Sequence, residues 1–98
     1  MEIYTEIQRE YRQLKEILPA QEADQHIDGS IAYAAGAYLT TATAFFYPLE
    51  LRSILHRDAR ELWPWEASSW LPSSTPRRNL LKAAAYIVAE IERIDRNT

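Results

Sequence analysis

Three tryptophans fall within eight residues, Trp63, Trp65 and Trp70, and three basic side chains follow them at Arg77, Arg78 and Lys82. Indole faces stack on nucleobases at about 1–3 kcal/mol each, and guanidinium forks take phosphate oxygens in pairs. Pro76 behind Thr75 marks the start of a helix, whose free N–H groups add partial positive charge for an anion. In that arrangement Trp63, Trp65 and Trp70 stack on a ligand ring while Arg77, Arg78 and Lys82 neutralise its phosphate. A structural reading stands beside it. Tryptophans in a Pro-rich loop plug the end of a helical bundle, and arginine stems pack on them.

The run Asp24-x-His26-x-Asp28 has residue types that suit divalent ions. Three ligands this close rarely suffice, however, and Asp28 serves equally as a helix cap while His26 bonds the backbone or an arginine. No metal is expected. Glu6 and Glu10, with Glu92 and Asp95, resemble the carboxylate sets that all-α nucleotide pyrophosphatases gather around Mg²⁺ to orient phosphates and a water. The uncharged stretch 29–49 leaves such a set without one wall. Glu90, Glu92, Arg93, Asp95 and Arg96 read equally as a solvated face laced with ion pairs. There is no Cys, and Ser68, Ser69, Ser73 and Ser74 have no base beside them in sequence. His56, between Leu55 and Arg57, reads as a packing residue. No catalytic residue and no cofactor is assigned, and binding is favoured over catalysis.

The elements that must hold these side chains are helices. Ile3, Ile7, Tyr11, Leu14 and Leu18 recur at spacings of four, four, three and four, which predicts an amphipathic helix over 2–18. Pro19 stops it by pushing Leu18 away from the α region. A polar link from 20 to 27 is expected next, with Asp28 as N-cap of a second helix running to about Phe46. Gly36 costs that helix about 1 kcal/mol relative to Ala, so the Ala32–Gly36 pair suggests close approach of another helix. Pro48 fits the first turn of a third helix over 48–62, with Leu51, Ile54, Leu55 and Leu62 on its apolar side. The segment 63–74 has no helical period and reads as a structured loop. Thr75 and Pro76 then open the last helix, whose Leu80, Ala84, Ile87, Ile91 and Ile94 repeat at four, three, four and three like a coiled-coil seam. The expected fold is all-α: a small four-helix bundle-like domain over 1–98 with a Trp/Pro-rich loop before the last helix.

Composition narrows the function classes. Ninety-eight residues leave room for one domain, and 47% apolar with 26% charged residues is ordinary for a globular chain. The net charge of −3 excludes a generic duplex nucleic-acid binder. That total is unevenly spread. Residues 1–28 hold seven acids and three bases, 29–49 hold none, and 50–98 hold seven acids and eight bases. The uncharged stretch is long enough to span a bilayer, but Tyr33, Tyr38, Thr40, Thr41, Thr43 and Tyr47 dilute it, and a buried central helix is expected instead. The acidic start, Met1-Glu2-Ile3-Tyr4-Thr5-Glu6, lacks the basic and apolar pattern of a signal peptide, which makes the cytoplasm the expected compartment.

Two blocks carry a resemblance. One is Asp24-Gln25-His26-x-Asp28-Gly29 running into an Ala-rich helix. The other is Trp63-Pro64-Trp65-x-x-x-x-Trp70-x-Pro72, then Arg77-Arg78-x-Leu80-x-Lys82-Ala83 and Ala89-Glu90-Ile91-Glu92-Arg93-x-Asp95-Arg96. The chain resembles a family of short proteins encoded by tailed bacteriophages and prophages, outside about 47–60. Relatives often carry Glu where Ser30 stands, so a carboxylate role there is absent. The resemblance implies a phage gene product in the cytoplasm of an infected bacterium, where small accessory proteins are often counter-defence factors. The leading expectation is therefore a binding protein that sequesters a small anionic nucleotide-type ligand or immune signal. The alternatives are an inhibitor docking on a host defence or replication protein, and a divergent Mg²⁺-dependent pyrophosphatase. The Ala32–Gly36 stripe and the seam of the last helix also predict a homo-oligomer.

Overall fold

The computed structural model describes residues 2–98 and is all-α. Its helices are α1 (Ile3–Ile17), a single turn α2 (Ala20–Ala23), α3 (Ser30–Ala44), α4 (Leu49–Leu62) and α5 (Pro76–Arg96). Each end has a local cause. Glu2 opens α1 by accepting from the N–H groups of Tyr4 (2.8 Å) and Thr5 (3.1 Å). Pro19 ends it, and then acts as the N-cap of α2, so the first part of the expected polar link is a helical turn instead. A proline-preset backbone followed by Ala-Gln-Glu-Ala is enough to form one.

The start of α3 also differs from expectation. Gly29, in the left-handed region at φ 87°, takes the N-cap position, one residue later than Asp28. Asp28 still acts on the helix end, accepting from the Ser30 N–H at 3.0 Å and from the Ser30 hydroxyl. The reversal needs a positive φ that side-chain-bearing residues resist, and glycine supplies it. At the other end α3 stops at Ala44, two residues before the expected boundary. Arg52 draws the carbonyls of Tyr47 (2.9 Å) and Phe45 (3.1 Å) into the α3–α4 corner. Pro48 stands at the N-cap of α4, ahead of the first turn. Thr75 and Pro76 begin α5 as read, with the Thr75 hydroxyl accepting from the Arg78 N–H at 3.3 Å.

The four long helices lie in the order α1, α5, α3, α4 within dimensions of 43 × 33 × 23 Å. α3 runs antiparallel to α5, bringing Tyr38 beside Tyr86 and Ala32 and Ala35 towards Ile91 and Ile87. α4 flanks the far side of α3, where Leu62 faces Gly36. α1 runs parallel to α5, and α1 with the α2 turn after it is tied to α5 by side chains. Arg77 holds Glu6 through two N–H···O contacts (2.9 and 2.5 Å), Arg78 holds Glu10 (2.7 Å), and Arg96 holds Asp24 (2.7 Å). The Tyr11 hydroxyl adds a bond to Glu92. Among the described residues, no helix is long and apolar enough to cross a membrane.

The core is small-residue and aromatic. Of sixteen buried apolar residues ten are Ala, and the large ones are Leu14, Leu18, Ile31, Tyr38, Trp63 and Tyr86. The seam of α5 read from the sequence lies outside it. Leu80, Ile87, Ile91 and Ile94 are 44–53% exposed, and Asn79, Ala83, Ala85, Tyr86 and Ala89 are buried in their place. α5 lies between two helices, and alanines let both approach closely while the bulkier side faces out.

The ion pairs made by α5, with the Asp28–Ser30 contact, give the fold a definite acid response. Arg77 holds the Glu6 carboxyl below its ordinary pKa, Arg96 does so for Asp24, and the Ser30 hydroxyl and N–H do so for Asp28. Carboxyls depressed in the native state stabilise it above their unfolded pKa values and stop doing so as pH falls through the native ones. The melting temperature should therefore be flat above about pH 5 and decline below it. Replacing Arg77→Gln and Arg96→Gln together should flatten that decline, read by thermal melts from pH 7 to pH 3.

Candidate functional site

Two prolines keep the 63–74 segment out of helix, and it bonds to itself. Trp63, the C-cap of α4, donates its indole N–H to the Glu66 carbonyl (3.2 Å) and the Ser69 hydroxyl (3.1 Å). The Ser69 hydroxyl donates to the same carbonyl at 2.7 Å, and the Ser69 backbone N–H does so at 2.9 Å, closing a one-turn 3₁₀ helix over Ala67–Ser69. Asn79 then fastens the segment to α5. This fully buried side chain accepts from the Ser73 N–H (2.7 Å) and donates to the Ser73 carbonyl (2.9 Å). The Leu71 carbonyl is fixed from two sides, by the Tyr38 hydroxyl (3.4 Å) and the Lys82 ammonium (2.9 Å).

The tryptophans meet aromatic partners from the helices. Trp63 and Trp70 lie 5.1 Å apart, and Tyr38 sits 5.6 Å from the first and 4.7 Å from the second, with Tyr86 stacked on Tyr38 at 5.7 Å. Rings at these separations bring about 0.5–1.5 kcal/mol per pair beyond their burial. Trp63 is buried and Trp70 half-buried in this cluster. Trp65 is set further out, edge-on to Trp63 and 5.2 Å from His26. His26 thus packs against an indole, a different contact from the backbone or arginine bond expected. Burial raises the pKa of both Tyr38 and Tyr86, so their hydroxyls stay neutral across the working pH range.

The basic residues divide between two hollows. Arg77 and Arg78 line one together with Glu6, Arg9 and Glu10, which partner them there. Arg78 and Lys82 also line a recess of about 160 Å³ with Glu10, Tyr38, Leu71 and Tyr86. Next to it is a recess of about 290 Å³ walled by Leu18, Glu22, His26, Trp63, Trp65 and Tyr86. Ile17, Ser69 and Tyr86 line both, so the two recesses form one groove between α1, α5 and the tryptophan segment. Burial, then the neighbouring Arg78, lowers the pKa of Lys82. Arg78 reaches Glu10 through Nε, and its terminal nitrogens make no hydrogen bond among the described residues.

The sequence pointed to six ligand-binding residues, and the structure brings them to different depths. Trp65, Arg78 and Lys82 border the groove with Trp63 at its back, Trp70 is packed into the aromatic cluster, and Arg77 lies outside with Glu6. Tyr38, Tyr86 and Asn79 went unremarked in the sequence, although they are the large or polar residues within Ala-rich helical runs. The four carboxylates considered for Mg²⁺ do not converge. Glu6 and Glu10 face arginines, Glu92 accepts from Tyr11, and no cluster of three metal-ligating side chains occurs among the described residues. The comparisons with known proteins find no match: no family model, no curated protein and no solved structure aligns significantly with this chain.

Depth predicts how the tryptophans separate. Trp63→Ala should cost about 3–5 kcal/mol in urea denaturation, as a truncated core aromatic does. Trp65→Ala, being half-exposed, should cost clearly less. Asn79→Ala should cost about 1–3 kcal/mol, because it leaves the Ser73 N–H and carbonyl unsatisfied.

Proposed function

We propose that this protein is a binding module that captures a small anionic ligand of the nucleotide class in the groove between α1, α5 and the tryptophan segment. One observation supports the reading above the rest: an aromatic-walled recess and a recess bordered by Arg78 and Lys82 share three lining residues. A ligand carrying a planar ring at one end and a phosphate at the other suits that order of surfaces. The ring would lie against Trp65 and His26. The phosphate would take the free N–H groups of Arg78 and Lys82, with Trp63, Trp70, Tyr38 and Tyr86 holding the wall rigid behind it. The combined space falls within the roughly 300–1,000 Å³ of small-molecule sites. Arg77 acts at one remove, keeping α1 in place through Glu6.

In the setting implied by the resemblance to short phage proteins, the ligand is a bacterial immune signal and the protein sequesters it without turnover. Isothermal calorimetry against a nucleotide panel, including cyclic dinucleotides and ADP-ribose derivatives, tests this. At least one member should bind at micromolar Kd or tighter. Trp65→Ala and the pair Arg78→Ala with Lys82→Ala should each weaken it tenfold or more, and the nucleotide should be recovered intact. Failure of every member to bind below millimolar, or indifference to those substitutions, refutes the reading. Release of pyrophosphate in the presence of Mg²⁺ would favour the pyrophosphatase alternative.

Docking on a host defence or replication protein is the second reading. It is favoured by the exposed Phe46, Tyr47, Leu49, Leu51 and Ile54 around the α3–α4 corner. The acidic first helix serves it poorly, because Glu6 and Glu10 are spent on Arg77 and Arg78. A pull-down from host lysate should recover a partner that Leu49→Asp with Ile54→Asp abolishes, and recovery of none counts against it.

A further inference from the structure

Helices α3 and α5 together leave one broad face uncovered. A groove of about 310 Å³ runs between them, floored by Ala32, Ala35 and Gly36 and rimmed by Leu39, Ile87 and Ile91. The seam of exposed Leu80, Ile87, Ile91 and Ile94 with half-buried Ala84 forms a ridge beside that trough. We infer that a second copy of this chain covers the face, the two copies related by a two-fold axis that passes between ridge and trough beside Ile87.

Three observations select this occupant. First, the face is charge-free where it matters. No charged residue lies between 29 and 49 or at the five seam positions, and Glu90 at the edge is neutralised within its own chain by Arg93 (2.5 Å) with both side chains largely buried. A two-fold contact sets the residues beside its axis against their own images, so charges at its centre would repel, and a charged partner would find nothing here to pair with. Second, the face is self-complementary in shape. It carries a large-residue ridge and a small-residue trough side by side, and a two-fold rotation puts each ridge into the opposite trough. The seam spacing of four and three residues is the repeat by which one helix packs along another. Third, the size suffices. Fifteen residues of each helix run about 22 Å, and two helices side by side span about 20 Å. Two copies then bury on the order of 1,000 Å² of accessible surface, the threshold for a specific interface.

The monomer's own balance agrees. Sixteen large apolar side chains are exposed among the described residues against six buried, which is a poor ratio for a chain this short to keep as a monomer. The inference is independent of the ligand reading, since the face shares no residue with the proposed groove.

Sedimentation equilibrium on the full chain tests it first. The expected mass is twice 11.4 kDa at micromolar concentrations. Ile87→Glu with Ile91→Glu should shift that to 11.4 kDa while the helical circular dichroism is kept. The chain has no Cys, so a single introduced one reports on proximity without background. Ile87→Cys should form an intermolecular disulfide under mild oxidation, whereas Glu61→Cys on α4 should not. This cross-link decides the matter even where the double variant loses helicity. A monomeric wild type at 100 µM overturns the inference, as does a dimer that survives the double substitution with its fold intact. Cross-linking through position 61 and not through position 87 overturns it as well.

Discussion

The approach of α3 to α5 is governed by alanine, and the rest of the molecule is arranged around what that approach leaves open. Ala34, Ala35, Ala37 and Ala42 on α3 and Ala83, Ala85 and Ala89 on α5 are buried, and none of them fills space as Leu or Phe would. The pair therefore packs closely but gains little apolar burial per residue. Tyr38 and Tyr86 are the two large side chains between these helices, and they stack on each other. Everything aromatic in the 63–74 segment converges on that pair. The segment is thus part of the core, completing a helix interface that alanines alone would leave weak.

This dual use explains why the groove has the chemistry it has. Trp63 and Trp70 pack into the cluster, while Trp65 and His26 form the outer aromatic wall of the groove. The basic residues are divided in the same way. Arg77 is spent on Glu6, while Arg78 and Lys82 keep N–H groups beyond those used by Glu10 and Leu71. The acidic character of α1 and the basic start of α5 are two halves of one set of ion pairs. The net charge of −3 is what remains after that pairing, and it says little about the local field in the groove.

Much of the fold was legible because its signals are local. Pro19, Thr75 and Pro76 act on the backbone through sterics and a single cap bond, and each ends or starts a helix where the residues say. Gly29 displaced Asp28 from the N-cap because a positive φ was required, a demand visible only once the chain reversal exists. The seam of α5 was legible as a pattern, and the structure leaves it outside the core. Two apolar faces compete on that helix, one of Ala and Tyr and one of Leu and Ile. Periodicity favours the bulkier one, while the need for two neighbouring helices to come close selects the smaller. Of the site, the tryptophans and the basic residues were readable by type. Their division between core and groove was not, because it depends on Tyr38, Asn79 and the carboxylates of α1, which lie 70 or so residues from their partners Arg77 and Arg78.

The sequence by itself determined the all-α class, the helix limits set by prolines and caps, the uncharged central helix and the gathering of Trp, Arg and Lys around one loop. These follow from short-range sterics, capping and composition, which act between residues a few positions apart. Only the tertiary structure decided which face of α5 is buried, which arginines are neutralised and which tryptophan is buried. Those outcomes depend on which surfaces meet when α1 lies along α5 and α3 packs against it. The contacts that settle them join residues far apart in the chain, where no local preference reaches.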